Sequence, residues 1–242
     1  MRGWTVGAVL LAVACREAPP ARERAVVFAS ASLSAAFEAL GREFERLHPG
    51  AQIELHVAGT PRLVLQVREG APVDVFASAD EPNMARVVAT GMTLAEPVVF
   101  ARNHLTIVTP PGNPEGVRGL PDLARADLRV VLCAPEVPAG RYARQALERA
   151  GVGVTSLSDE PSVQAVLSKV RLGEVDAGIV FVTDAGDGVE AVPIAREHDV
   201  VGTCPIVLLD AGGGPAVGRA FVDFVRSPAG QDLLRRYGFA DP

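Results

Sequence analysis

The sequence lacks the residues and motifs that mark several large classes of protein. Among 242 residues there are 3 Cys and 4 His, and neither type occurs at the spacing of a metal or redox site. The formal net charge is −6, so there is no basic field to attract nucleic acid. G-x-S-x-G, H-E-x-x-H, P-loop and G-x-G-x-x-G motifs are absent. These absences argue against an enzyme, a nucleic-acid-binding protein and a cofactor-dependent protein.

Asp74 and Asp80 are the one pair of carboxylates that could suggest acid–base catalysis. Asp80 stands directly before a predicted helix, so a helix cap is the simpler interpretation. His56 alternates with Leu55 and Val57, which predicts an exposed position on a strand. An enzymatic function is therefore disfavoured. Steady turnover of a phosphate or sulfate ester would be the observation in favour of it.

Long apolar runs are absent except for a short one at the N-terminus. Residues 6–14 are apolar, follow Arg2 and precede Cys15, and the run is shorter than the ~20 residues of a transmembrane helix. We predict a signal peptide over residues 1–15 with lipidation of Cys15, and a Pro-rich tether over 16–24. The alternative is an ordinary signal peptide that happens to contain a Cys.

Cys133 and Cys204 are the two cysteines that remain after this segment. Export to an oxidising compartment would permit a disulfide between them. The favoured interpretation is two buried, unpaired thiols.

Strand and helix patterns alternate along the rest of the chain, which predicts an α/β fold with largely parallel sheets. Thr60 is expected to cap the second helix, with Pro61 at its first position. The predicted strands are 25–29, 52–57, 73–77, 104–109, 128–133, 177–181 and 206–209. The predicted helices are 33–47, 60–69, 80–90, 140–150, 162–172, 215–225 and 228–237.

Four of these helices follow turns rich in small or hydroxyl residues, at 30–33, 59–61, 137–140 and 160–163. A helix N-terminus offers free backbone N–H groups and the positive end of the helix dipole, and therefore binds anions. In open α/β sheets the ligand crevice lies beyond the carboxyl ends of the strands. We therefore expect these turns to face a common cleft. The alternative is that their Ser and Thr side chains are only helix caps.

Five segments of the sequence resemble the molybdate-binding proteins of ABC importers. They occur in the same order as in that family, from about Val26 to Phe239. They are V-F-A-S-A-S-L from Val27, G-A-P-V-D-V-F-A-S-A-D from Gly70, V-P-A-G-R-Y-A from Val137, G-E-V-D-A-G-I-V from Gly173 and R-Y-G-F from Arg236.

The resemblance implies an exported, periplasmic or cell-surface solute-binding protein that delivers molybdate or tungstate to the permease of an ABC importer. It implies a monomer with no cofactor, no nucleic-acid partner and no membrane contact beyond a lipid anchor. The implied fold is the two-domain, type II periplasmic-binding-protein fold, a hinged trap in which each domain is a mostly parallel sheet flanked by helices. Domain I would comprise residues 25–98 and 206–242, and domain II residues 99–205.

The resemblance also implies the residues that hold the oxyanion through its oxygens, without direct protein ligands to the metal. These are the side chains of Ser32 and Thr60 and the backbone N–H groups of Ala139 and Val163. Phe181 stands where the family commonly has a Tyr that donates its hydroxyl. The missing donor could be replaced by Tyr142, by Thr183 or by water, or binding could be weaker.

Two other functions remain open at this point. A binding protein for another oxyanion, such as sulfate, phosphate or thiosulfate, would share the fold, and a fold does not fix its ligand. A ligand-sensing regulatory domain is disfavoured by the predicted export signal and by the lack of a DNA-binding helix pair.

Overall fold

The computed structural model describes residues 23–242. The predicted signal peptide, the lipidation of Cys15 and most of the predicted tether lie outside these residues. Glu23 and Arg24, which were predicted as the end of the tether, already belong to the first strand.

Ten strands and seven α-helices are present in the described part of the chain. The strands are β1 (Glu23–Ser30), β2 (Ala51–Ala58), β3 (Val75–Ala77), β4 (Val98–Asn103), β5 (Leu105–Thr109), β6 (Val130–Cys133), β7 (Asp159–Glu160), β8 (Ala177–Phe181), β9 (Glu190–Pro193) and β10 (Gly202–Leu208). The helices are α1 (Ser34–Leu47), α2 (Thr60–Arg68), α3 (Glu81–Val88), α4 (Pro138–Ala150), α5 (Val163–Arg171), α6 (Pro215–Arg226) and α7 (Pro228–Arg236).

The strands form two five-stranded sheets, with orders β2-β1-β3-β10-β4 and β7-β6-β8-β5-β9. We call the half of the protein built on the first sheet the first domain, and the half built on the second sheet the second domain. The predicted α/β two-domain fold is confirmed. Each sheet is mixed, however, with two parallel and two antiparallel pairings.

The antiparallel pairings lie at the strands by which the chain passes between the sheets. The chain passes from β4 in the first sheet to β5 in the second through one residue, and returns from β9 to β10 through a short segment without a helix. The strands that these routes reach, β5 and β10, pair antiparallel with both of their neighbours.

Most element boundaries agree with the sequence patterns to within a few residues, and the predicted strand 177–181 is β8 itself. Three strands were missed. β7 has only two residues, β9 contains Pro193 and is mostly exposed, and β4 shows no clean alternation of buried and exposed positions.

Each sheet is covered by helices that bury apolar side chains against it. In the first domain α1, α6 and α7 cover one face, where Phe37, Phe44 and Phe221 meet edge to face with ring centroids 5.4–6.1 Å apart. The helices α2 and α3 cover the other face. In the second domain α4 and α5 pack on the second sheet. This packing fixes the positions of the helix N-termini.

Cys133 and Cys204 are both buried and form no disulfide within residues 23–242, which confirms the favoured interpretation that they do not pair with each other. Over residues 23–242, no helix combines the length and the apolar character needed to cross a membrane.

Candidate functional site

A small cavity lies between the two domains, and all four of the predicted turns reach it. Its volume is about 10 Å³, which is close to the space that one water-sized group occupies. All five residues of the predicted site line it: Ser32, Thr60, Ala139, Val163 and Phe181. The other residues of the lining are Ser30, Ala31, Gly59, Val137, Pro138 and Ser162. The structure thus brings residues from distant parts of the sequence to one small space.

Helix N-termini form much of this lining. Gly59 precedes α2 and Val137 precedes α4, and neither helix start has a side-chain cap. The start of α5 is capped by Ser162, whose side chain accepts a hydrogen bond from the N–H of Ala165 at 3.3 Å. Because the first N–H groups of a helix have no partner within the helix, those of Ala139 and Val163 are available to a ligand.

The prediction that Thr60 caps α2 was wrong. Thr60 is the first residue of the helix, and Gly59 occupies the cap position. The Thr60 hydroxyl instead lies 2.7 Å from the hydroxyl of Ser30, and both residues are buried. The two hydroxyls have two protons between them, and their mutual hydrogen bond uses one, so one proton remains for a ligand.

Ser32 supplies a further hydroxyl to the cavity. The residue is 7% exposed, and its Oγ is buried without a hydrogen-bond partner among residues 23–242. Leaving a buried hydroxyl unpaired costs about 1–3 kcal/mol, so such atoms are uncommon and need an explanation. An oxygen atom of a bound ligand would complete the bonding of Ser32.

Phe181 ends β8 and is fully buried beside the cavity. Its ring packs edge to face with that of Tyr142, with the centroids 6.1 Å apart. Burial raises the Tyr142 pKa. The Thr183 hydroxyl accepts a hydrogen bond from Asn103 Nδ2 at 2.8 Å. Tyr142 and Thr183 are both outside the lining.

Ser30 is a lining hydroxyl that the sequence reasoning did not include among the site residues. The signal was present in the S-A-S pattern of the first turn, where Ser30 and Ser32 both precede α1. The pattern alone did not show that Ser30 would face Thr60.

Of the described residues, no Asp, Glu, Lys or Arg contributes to the lining. Anion binding would therefore depend on neutral hydroxyl and N–H donors. Asp184 lies three residues beyond Phe181, and burial raises its carboxyl pKa to about 7.

The carboxylates considered for catalysis have separate structural roles. Asp80 caps α3 by accepting a hydrogen bond from the N–H of Asn83 at 3.0 Å, as predicted. Asp74 accepts hydrogen bonds from the backbone N–H groups of Val26, Gly213 and Gly214 at 2.8–2.9 Å. His56 is exposed on β2. Within residues 23–242, no group of three or more acidic, His or Cys side chains is placed to hold a metal ion.

Two α/β domains with a small, donor-lined cavity between them have the architecture of a solute-binding protein. The chain belongs to the family described as bacterial extracellular solute-binding protein, whose sequence signature matches residues 25–240. It is 39% identical to the molybdate-binding protein ModA of Mycobacterium tuberculosis, over 98% of this chain and 96% of that protein.

Solved structures share the fold at lower sequence identity. The sulfate-binding protein SubI of Mycobacterium tuberculosis superposes with a TM-score of 0.82 at 17% identity, covering 91% of this chain and 87% of SubI. The periplasmic molybdate-binding protein of Azotobacter vinelandii superposes with a TM-score of 0.75 at 19% identity, covering 90% of this chain and 99% of that one. These likenesses establish the fold.

Proposed function

We propose that the protein captures molybdate, or the similar anion tungstate, outside the cytoplasm and delivers it to the permease of an ABC importer. The family and the name of the 39% identical relative support this function. The observation that carries the proposal to this chain is the unpaired hydroxyl of Ser32, buried in a cavity where helix N-termini converge. A bound tetrahedral oxyanion would accept hydrogen bonds both from the Ser32 hydroxyl and from the free N–H groups of those helix N-termini.

In the proposed complex the hydroxyls of Ser32 and Thr60 donate from the first domain, and the backbone N–H groups of Ala139 and Val163 donate from the second. The anion is thereby bonded to both domains. The metal atom stays inside its shell of oxygens and contacts no protein ligand. Ser30 supports this set because its hydroxyl lies 2.7 Å from that of Thr60 and can donate to Thr60 Oγ1, which leaves the Thr60 proton for the anion.

These donors are sufficient for useful affinity. Four charge-assisted hydrogen bonds contribute about 6–12 kcal/mol, at roughly 1.5–3 kcal/mol each. Association costs at least about 4 kcal/mol. The remainder of up to about 8 kcal/mol corresponds to a Kd near 1 μM.

Phe181 has no hydroxyl where the family commonly has a Tyr that donates one. We propose that no other side chain of this protein replaces that donor. Tyr142 and Thr183 are not part of the cavity lining, so neither is placed to replace it. The oxyanion in this protein is then held by one hydroxyl fewer.

We further propose that the two domains close on the anion like a hinged trap. The proposed boundaries, 98/99 and 205/206, fall within β4 and β10, the strands at which the chain leaves and re-enters the first domain. The mature protein is proposed to be a monomer, lipid-anchored through Cys15 and without enzymatic activity.

A ligand panel tests this function. Thermal unfolding and calorimetry are measured with molybdate, tungstate, sulfate and phosphate at equal ionic strength. A ligand at 100-fold its Kd stabilises the folded protein by about 2.7 kcal/mol, and we expect this for molybdate and tungstate. Stabilisation by sulfate or phosphate alone would contradict the proposal, and so would no response to any of the four.

A further inference from the structure

The four turns that meet at the cavity contain a single charged residue, Glu160. The turns otherwise consist of small, apolar and hydroxyl residues. Glu160 is the last residue of β7 and stands two positions before Ser162, which lines the cavity. Two residues of chain span at most about 7 Å. The second domain therefore carries an acidic side chain close to a site that is proposed to bind an anion.

The Glu160 side chain is buried and ionised. It is 9% exposed, and its Oε1 accepts hydrogen bonds from Ser158 Oγ at 2.6 Å and from Lys169 Nζ at 2.7 Å. Burial acts to raise the Glu160 pKa, but the hydrogen bonds from Lys169 and Ser158 outweigh it, so the pKa is lowered from its ordinary value. Glu160 therefore keeps its negative charge at neutral pH.

Lys169 is the only lysine in the sequence. It lies in the second turn of α5, and its Nζ also donates to Ser158 Oγ at 2.9 Å. Both of these contacts are made to the short segment that leads directly into the turn before α5. A buried carboxylate without a cation is strongly unfavourable, whereas one with a paired cation is tolerated. Lys169 is the cation that Glu160 has.

The charge of Glu160 matters to an anion because the cavity itself offers no cation. Of the described residues, those that line the cavity supply only neutral donors. Molybdate is doubly charged, and an uncompensated carboxylate nearby would repel it. This repulsion would be weakly screened, since a buried charge is shielded less by solvent and salt than an exposed one. Together, Glu160 and Lys169 carry no net charge and avoid the repulsion.

We propose that Lys169 is a positioning residue for oxyanion affinity that acts through Glu160, because its ammonium group holds and neutralises the one negative charge in the four turns. Neither residue lines the cavity, so neither touches the anion. The proposal rests on the proposed function. Loss of the Lys169 charge leaves Glu160 unpaired and weakens binding, and removal of the Glu160 charge as well restores it.

The test uses Lys169→Met, which removes the charge and keeps an unbranched, helix-forming side chain. Lys169→Arg keeps the charge, and Glu160→Gln removes the carboxylate but keeps an oxygen that accepts from Ser158. The matched control is Arg171→Met on the same helix, since Arg171 is exposed and its Nε donates to the backbone carbonyl of Asp187 at 3.1 Å. The Kd for molybdate is measured by calorimetry at pH 8, and unfolding is measured without ligand.

For Lys169→Met we expect Kd to rise about ten-fold, which is the effect of one unpaired charge on a doubly charged anion about 10 Å away in partly solvated protein. Lys169→Arg should bind nearly as tightly as the wild type, because it restores the cation. Arg171→Met should leave Kd unchanged, because solvent screens an exposed charge.

Glu160→Gln and the double variant distinguish a charge effect from a structural one. Glu160→Gln alone should bind at least as tightly as the wild type, because it removes the negative charge. The double variant with Lys169→Met and Glu160→Gln should recover wild-type affinity even where it unfolds more easily, because its net charge at the pair is again zero. If the pair only braces the turn, the double variant would instead bind as weakly as Lys169→Met.

Unchanged Kd in Lys169→Met, with normal binding by the wild type, would overturn the proposal. Weaker binding by Glu160→Gln, or a double variant without recovery, would overturn it too, and Glu160→Gln provides this test even if Lys169→Met does not fold. An equal loss in Arg171→Met would show a general effect of charge on α5 and would also overturn it. A wild-type protein that binds none of the oxyanions would instead overturn the proposed function.

Discussion

Replacement of Ser32 by alanine separates a ligand-binding role from a structural one. The Ser32 Oγ has no hydrogen-bond partner among the described residues, so its removal breaks no bond within them. We therefore expect the unfolding free energy of the unliganded protein to change by less than about 0.5 kcal/mol, as for substitutions that disturb no structural feature.

The effect on oxyanion affinity should be much larger. A hydrogen bond to a charged group contributes about 1.5–3 kcal/mol, and about 1.4 kcal/mol is a factor of ten in Kd. Ser32→Ala should thus raise the Kd for molybdate by about 10- to 150-fold. Calorimetry gives the Kd, and thermal unfolding without ligand gives the stability.

Ser227→Ala is a control with the opposite expectation. The Ser227 side chain caps α7 by accepting a hydrogen bond from the N–H of Gly230 at 3.2 Å, and it lies outside the cavity lining. Loss of a cap costs roughly 1 kcal/mol, so this variant should melt earlier and bind molybdate normally. Ser32→Ala with wild-type affinity, or with a stability loss as large as that of Ser227→Ala, would refute the reasoning for Ser32.

Three further predictions concern Phe181, Asp184 and the N-terminus of the mature protein. Phe181→Tyr should restore a donor and tighten molybdate binding by roughly 1 kcal/mol, about five-fold; equal or weaker binding by calorimetry would show that another group already fills this role. The Asp184 pKa is raised from 3.8 to about 7 by burial, so the folded state holds this proton more tightly than the unfolded chain, and stability falls as pH rises from about 4 to 7. Asp184→Asn should remove that part of the pH dependence, so denaturant unfolding should show the variant gaining on the wild type as pH rises; parallel curves would count against a buried, protonated Asp184. The mature protein should begin at a lipidated Cys15, and mass spectrometry that finds an unmodified N-terminus beyond Cys15 would exclude the anchor.

The sequence was informative where a pattern is local. Apolar periodicity and the Gly and Pro residues at their ends predicted the helices, and the hydroxyl and small residues at four turns predicted that those helices would begin at one cleft. The prediction that Cys133 and Cys204 are buried and do not pair with each other was also confirmed.

Features that depend on the path between domains were not predictable in the same way. β5 and β10 are the strands that the chain reaches by direct crossings between the sheets, and both pair antiparallel with their neighbours. Local periodicity in the sequence does not reveal such crossings. The pairing of Ser30 with Thr60 joins residues 30 positions apart. The contact of Asp80 with Arg141 joins residues 61 positions apart, in different domains. A sequence pattern identified Asp80 as a helix cap but not as a partner of the other domain.

The central claim is that the cavity between the domains binds a molybdate-type oxyanion through Ser32, Thr60, Ala139 and Val163. Tungsten scatters X-rays anomalously, so a crystal of the protein grown with tungstate locates the anion directly. We predict one strong anomalous peak inside the cavity, with tungstate oxygens within hydrogen-bonding distance of those four residues. Tungsten bound only elsewhere, with an unoccupied cavity in a protein that calorimetry shows to be saturated, would contradict the account.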